Sequence, residues 1–175
     1  VYAQVEKAVL ESPIGHEARF RKAKLAYYTG QFKWAQAQLD VLKASTSKLI
    51  ANDAMELSMF INDNYNLDTT ETTMQIFARA DFYIFSKQYE LALETLDSVA
   101  VLYPSHTLID DVLYKKGQIY EATGNYSTAS KYYKEVTDTY YYDILADNAL
   151  FRYAVLQEKL KNVSIAEDSY FKLIS

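Results

Sequence analysis

Two histidines, His16 and His106, are the only imidazoles in the chain, and cysteine is absent. A disulfide framework, a thiolate metal site and a cysteine nucleophile are thereby excluded. A zinc-protease helix would need a second histidine four residues after His16, and Phe20 stands there instead. Each histidine falls near the start of a predicted helix, where a cap or surface role is the simpler reading. The serines lie in caps and loops with no Gly-x-Ser-x-Gly elbow, and four scattered glycines form no phosphate loop. Asn62-Asp63-Asn64-Tyr65-Asn66-Leu67-Asp68 imitates a calcium loop, but Leu67 replaces the required glycine and Thr73 the closing glutamate. It reads as a polar loop between helices. Asp110-Asp111 and Asp143 with Asp147 sit near expected helix starts, where carboxylates complement the dipole. Nothing in the sequence points to a raised pKa or to paired acid–base work. Asn125-Tyr126-Ser127 and Asn162-Val163-Ser164 match the glycosylation triplet, yet they fall at helix starts and read as caps. The chain is expected to be no enzyme and to hold no metal or cofactor.

The composition says what kind of elements must carry whatever the chain does. Of 175 residues, 50% are apolar or aromatic, enough to build a packed core. The net charge of −5 argues against a general nucleic-acid binder, which needs a basic face. With four glycines and two prolines the chain lacks the punctuation of an all-β fold and reads as helical. No run of about 20 apolar residues exists to span a membrane. The short basic run from Arg19 to Lys24 reads as a solvated helix face.

A repeat organises the helices. Four segments begin alike, Gln31-Phe32-Lys33-Trp34-Ala35, Gln88-Tyr89-Glu90-Leu91-Ala92, Asn125-Tyr126-Ser127-Thr128-Ala129 and Asn162-Val163-Ser164-Ile165-Ala166. Their alanines are separated by 57, 37 and 37 residues, so the first gap reads as one period plus a further helix, either an added helix or a unit that has lost its second helix. Apolar residues recur three before, four after and seven after each alanine, which is one stripe of a helix. Twelve residues before stand Ala23, Ala80, Gly117 and Ala154. A small residue on each of two successive helices lets their backbones approach. Arg19 and Gln157 break the apolar pattern on the first helices. Each unit is a helix, a turn and a second helix, with Thr29-Gly30, Ser86-Lys87, Thr123-Gly124 and Lys161-Asn162 at the turns; Gly and Asn readily take the left-handed conformation. Ser12-Pro13 and Tyr103-Pro104-Ser105 restart helices, and Asp143 is placed to cap one.

The small residue, the Tyr/Phe-x-x-Ala and the proline-containing exit loop resemble the tetratricopeptide repeat (TPR). The wording from Tyr103-Pro104-Ser105 through Gly124-Asn125-Tyr126 to Tyr140 is similar to a subgroup of bacterial envelope proteins. That subgroup includes the lipoprotein of the outer-membrane β-barrel assembly machine and the Tol-Pal coordinator. The resemblance implies an all-α, right-handed superhelical solenoid of TPR-like hairpins over residues 1–175 with one inserted helix. Units are expected at about 14–46, 71–104, 105–141 and 143–174, with the extra helix at about 47–64, and Asp68 with Glu71 as a capping pair after it. Val1 to Leu10 read as the back half of a helix, and Ala166 to Ile174 run on without a cap. The chain is thus expected to be a piece of a longer array whose ends pair with another copy or are covered by further repeats.

The resemblance also assigns a face. The residues fifteen, eleven and eight before each alanine would line the concave side: Phe20, Lys24 and Tyr27; Phe77, Asp81 and Ile84; Tyr114, Gln118 and Glu121; and Phe151, Val155 and Glu158. Aromatics repeated along a groove would hold an extended peptide or a helix of a partner protein. The alternative is that they pack between adjacent first helices. Co-chaperone TPR domains grip a C-terminal carboxylate with Lys, Asn and Arg on this face, and that pattern is absent here. The implied function is a non-catalytic scaffold, periplasmic or outer-membrane-associated; a cytoplasmic adaptor that docks a partner helix is the alternative. A helical enzyme would need convergent ionisable groups in a pocket.

Overall fold

A computed structural model describes residues 1–4, 12–43, 48–65 and 71–174. The stretch 5–11, within which most of the expected leading helix falls, and Asp68 of the expected capping pair lie outside the described residues. The fold is all-α, with no strand among the described residues. The helices are α1 (Pro13–Tyr28), α2 (Phe32–Leu42), α3 (Lys48–Tyr65), α4 (Thr72–Phe85), α5 (Tyr89–Leu102), α6 (Ile109–Ala122), α7 (Tyr126–Thr139), α8 (Leu145–Lys159) and α9 (Val163–Ile174). They form two compact units, Val1–Phe82 and Tyr83–Ser175.

In the first unit α1 packs on α2 and α2 on α3. Ser12 starts α1 by accepting from the Gly15 N–H at 3.1 Å, with Pro13 in the first turn. Ala23, Ala35, Leu39, Ala54 and Ile61 form its core. Tyr27 meets Phe32 and Phe60, and Phe60 meets Phe77 at 5.3 Å between ring centroids. On α3 the buried stripe is Ile50, Ala54, Ser58, Ile61 and Asn64, while Leu49 and Met59 are exposed. Ser58 is buried because its Oγ accepts from Gln36 Nε2 of α2. The expected loop at Asn62–Asp68 is helical as far as Tyr65. Asn64 turns its amide inward to donate to the Phe60 carbonyl at 3.1 Å, and the Tyr65 ring packs on Phe32. Local partners outweigh the turn preference of these polar residues.

In the second unit the helices pack in sequence order from α5 to α9, and α6 also touches α8. Ala129, Tyr133, Val136, Ala149 and Leu156 form the core cluster, with Leu113, Tyr114 and Tyr120 against it. All four anchor alanines are buried, as are Ala23, Ala80, Gly117 and Ala154 twelve residues earlier. At Gly117 the approach is tight, since an added Cβ would lie 2.7 Å from a Tyr133 ring carbon. Gln157, which breaks the apolar pattern, is buried with both amide ends paired. Its Nε2 donates to Ser130 Oγ at 2.6 Å and its Oε1 accepts from Asn162 Nδ2 at 2.8 Å. This chain of bonds ties α8 to α7 and to the turn before α9.

The hairpin turns share one geometry. A residue with positive φ stands five before each alanine: Gly30, Lys87, Gly124 and Lys161. The N–H of the following residue donates five residues back, as in Gln31 to Ala26 and Asn125 to Tyr120, both at 2.8 Å. This is the Schellman closure of a helix end. At the last turn Lys161, rather than Asn162, takes the left-handed conformation. Asn125 caps α7 by accepting from the Thr128 N–H at 3.2 Å, as a helix-start asparagine should.

Candidate functional site

A concavity lies within the second unit. Ile84 at the end of α4, Tyr89 at the start of α5, Gln118, Ile119, Glu121 and Ala122 of α6, and Arg152 and Lys159 of α8 line a groove of about 460 Å³. Its position follows from the repeat. The first helices of successive units, α6 and α8, lie side by side, and the preceding hairpin turn closes one end. Residues three or four apart on α6 share a face, which brings Gln118, Glu121 and Ala122 to the same wall. Arg152 and Lys159, seven apart on α8, face them.

Glu121 organises the polar end. Its Oε2 accepts from the Tyr133 hydroxyl at 3.0 Å. Its Oε1 lies 3.5 Å from Arg152 Nη1 and 4.0 Å from Lys159 Nζ. The Glu121 side chain is 18% exposed, against 46% for Arg152 and 43% for Lys159. Lys159 also rests over the Tyr126 ring, 4.6 Å from its centroid. Burial, and then the charge of Glu121, hold the Tyr133 phenol far above its ordinary range, so it stays a neutral donor. Arg152 and Lys159 line the groove with their side chains nearly half exposed.

Of the residues named from the sequence, Ile84, Gln118 and Glu121 converge on this groove. Tyr114 lies half-buried against the Tyr133 ring at 5.3 Å, and Phe151 is half exposed beside Tyr170. In the first unit Phe20 and Lys24 are partly exposed on α1, with the Lys24 ammonium 5.8 Å from the Phe20 ring. Tyr27 and Phe77 require correction as partner contacts, because both are wholly buried. Tyr27 donates to Asp81 Oδ2 at 2.9 Å and Phe77 packs on Phe60, so their bulk fills the space between first helices. Tyr89, Arg152 and Lys159 were not singled out in the sequence. The seven-residue spacing of the two cations on one helix face was the available signal.

Two polar positions differ from the sequence reading. Asp110 is 3% exposed, and burial together with the neighbouring Asp143 carboxylate pushes its carboxyl up to about 6. His16 is buried rather than on the surface. His106 does act at a helix start, its Nδ1 accepting from the Leu108 N–H at 3.1 Å. Among the described residues no cluster of His, Cys, Asp or Glu could hold a metal ion, and no helix is long and apolar enough to cross a membrane.

Comparison with known proteins matches one stretch of the chain. The family described as Tetratricopeptide repeat matches residues 110–140, the stretch that holds α6 and α7. Over that stretch the chain is similar to TPR units, and the other hairpins carry the same small-residue and turn positions. A search of curated proteins found no match.

Proposed function

We propose that this chain is a protein-interaction scaffold that holds an extended segment or helix of another protein in the groove of its second unit. The single observation that carries the reading is the convergence of Ile84, Gln118 and Glu121, with Tyr89, Arg152 and Lys159, on one concavity between first helices. TPR units generally bind other proteins and are typically non-catalytic. Packed hairpins hold the groove walls in place before a partner arrives, so little ordering entropy opposes binding. The wider contact set includes Phe20, Lys24 and Asp81 on the first unit and Tyr114 and Phe151 on the second. A place in a bacterial envelope assembly rests on the Tyr103-Pro104-Ser105 loop and its surroundings, which resemble envelope TPR proteins.

A photo-crosslinking residue at Gln118, compared with one at the exposed Lys131 on α7, tests the groove. Crosslinks to a partner from position 118 and not from 131 are expected. Equal crosslinking from both positions, or none from 118, would refute the reading. Fractionation of cells bearing the tagged gene product tests the envelope placement, and a signal confined to the cytoplasm would overturn it.

A further inference from the structure

We infer that the groove of the second unit selects a partner segment bearing an aspartate or glutamate side chain beside an apolar residue, with Arg152 and Lys159 receiving the carboxylate. The inference rests on the scaffold reading and names the chemistry of its partner.

The argument starts from charge. The chain carries −5 overall, yet at this wall two cations face a single carboxylate, Glu121. That carboxylate is poorly placed to satisfy them. Charge-assisted N–H···O bonds close at about 2.7–2.9 Å, whereas Glu121 stands 3.5 and 4.0 Å from Arg152 and Lys159. Its second oxygen is taken by the Tyr133 hydroxyl. Glu158, next to Lys159 in the chain, is engaged by Tyr170. A guanidinium offers five donors in a planar fork that matches a carboxylate with two parallel bonds. The Arg152 fork is therefore largely unspent and nearly half open to solvent. Gln118, one turn before Glu121, adds an amide on the same wall. Ile84 and Tyr89, from the preceding hairpin, and Ala122 give the same groove an apolar lining for the neighbouring side chain.

The register of the cations separates this site from one that grips a chain terminus. Arg152 and Lys159 stand fourteen and seven residues before Ala166, while the concave positions fifteen, eleven and eight before it hold Phe151, Val155 and Glu158. A carboxylate on a side chain, approaching as the segment lies along α6 and α8, meets both cations.

The test is selection from a random peptide library displayed with its C-termini fused to the carrier, so that every available carboxylate is a side chain. Wild-type protein is expected to enrich Asp and Glu beside an apolar residue. The paired substitution Arg152→Gln and Lys159→Gln, checked for an unchanged melting curve, should weaken the selected peptides by about tenfold. Glu121→Gln should tighten them by about threefold, because it removes the competing anion. Binders without acidic enrichment, or binders indifferent to the paired substitution, overturn this inference and leave the scaffold reading standing. A folded wild-type protein that selects no peptide at all overturns both.

Discussion

The hairpins α1/α2 and α6/α7 fill the same two register positions differently. In the first, Ala23 and Leu39 stand twelve before and four after the anchor alanine. In the second, the pair is Gly117 and Tyr133, and all four are buried. Removing a methyl from one helix makes room for a ring on the other, so the helices still close. The ring brings something leucine cannot, a hydroxyl that reaches Glu121 at 3.0 Å and ties the hairpin core to the groove wall. In the first unit a tyrosine makes the comparable link from the first helix, Tyr27 to Asp81. The repeat thus fixes volume at a contact, and the polar atoms carried by that volume decide whether the core also orients a surface group.

The largest expected effect breaks this pairing. In Gly117→Ala the new Cβ would lie 2.7–3.0 Å from three Tyr133 ring atoms. The ring is enclosed and its hydroxyl is bonded, so it cannot swing aside. Urea denaturation should show a loss of about 3 kcal/mol, the upper range of overpacking. Ala23→Gly in the other hairpin should cost less, about 1 kcal/mol of helix propensity and about 0.8 kcal/mol for the buried methyl it removes. Adding Tyr133→Leu to Gly117→Ala recreates the Ala/Leu pair, and the double variant should be more stable than the sum of the single losses predicts. Strict additivity would mean that the two residues do not share one space.

A second contrast lies nineteen residues before the first three anchors, where the first hairpin buries His16, α4 buries Thr73 and α6 buries Asp110. The Asp110 carboxyl, at about 6 in the fold, titrates near 3.9 in an unfolded chain. Between those values the folded protein holds the extra proton. Stability from this group is therefore fully present below about pH 4, is lost as pH rises through about 6, and stays lost above. Asp110→Asn removes the penalty while keeping an oxygen for the helix-start N–H groups. It should stabilise the protein by about 2 kcal/mol at pH 7 and by little at pH 4, as read from denaturation midpoints. An equal effect at both pH values would assign the change to packing instead of charge.

How much of this was legible beforehand follows from what each feature depends on. The helices, α3 among them, and the small-residue contacts write themselves as periodic apolar positions, because burial acts on every turn alike. The end of α3 did not, since Asn62 to Tyr65 carry turn-forming types whose helical state depends on Asn64 finding the Phe60 carbonyl and Tyr65 finding Phe32. Gln157 was visible only as an exception to the stripe, because its partners Ser130 and Asn162 come from two other elements. The groove was half legible. Glu121 and Gln118 share the helix face the repeat assigns, but Arg152 and Lys159 gain meaning only once α8 lies beside α6. Asp110 was misjudged for the same reason, its burial and its neighbour Asp143 being separated from it by a whole hairpin.

The smallest expected effects test where the hairpins agree. Gly30 and Gly124 close their turns with φ near +76° and +79°, and Lys87 and Lys161 hold the equivalent positions at +59° and +64°. A side chain at left-handed φ costs about 1 kcal/mol that glycine avoids. Gly124→Ala meets open space, since nothing lies within 4 Å of its added Cβ, so its expected loss of about 1 kcal/mol is conformational alone. Gly30→Ala carries the same backbone strain plus a 3.3 Å approach to Gln75 Cγ, and it should lose slightly more. Lys87→Gly and Lys161→Gly run the other way. Each relieves the strain but returns backbone entropy to the unfolded chain, leaving a net gain of about 0.5 kcal/mol. Both lysines are exposed, so no packing term obscures the difference. Thermal melts of the four variants should rank Lys→Gly above wild type and wild type above Gly→Ala. A loss in either Lys→Gly variant would mean that unfolded-state entropy outweighs left-handed strain at this turn, and the shared geometry would then not be what the two glycines are there to supply.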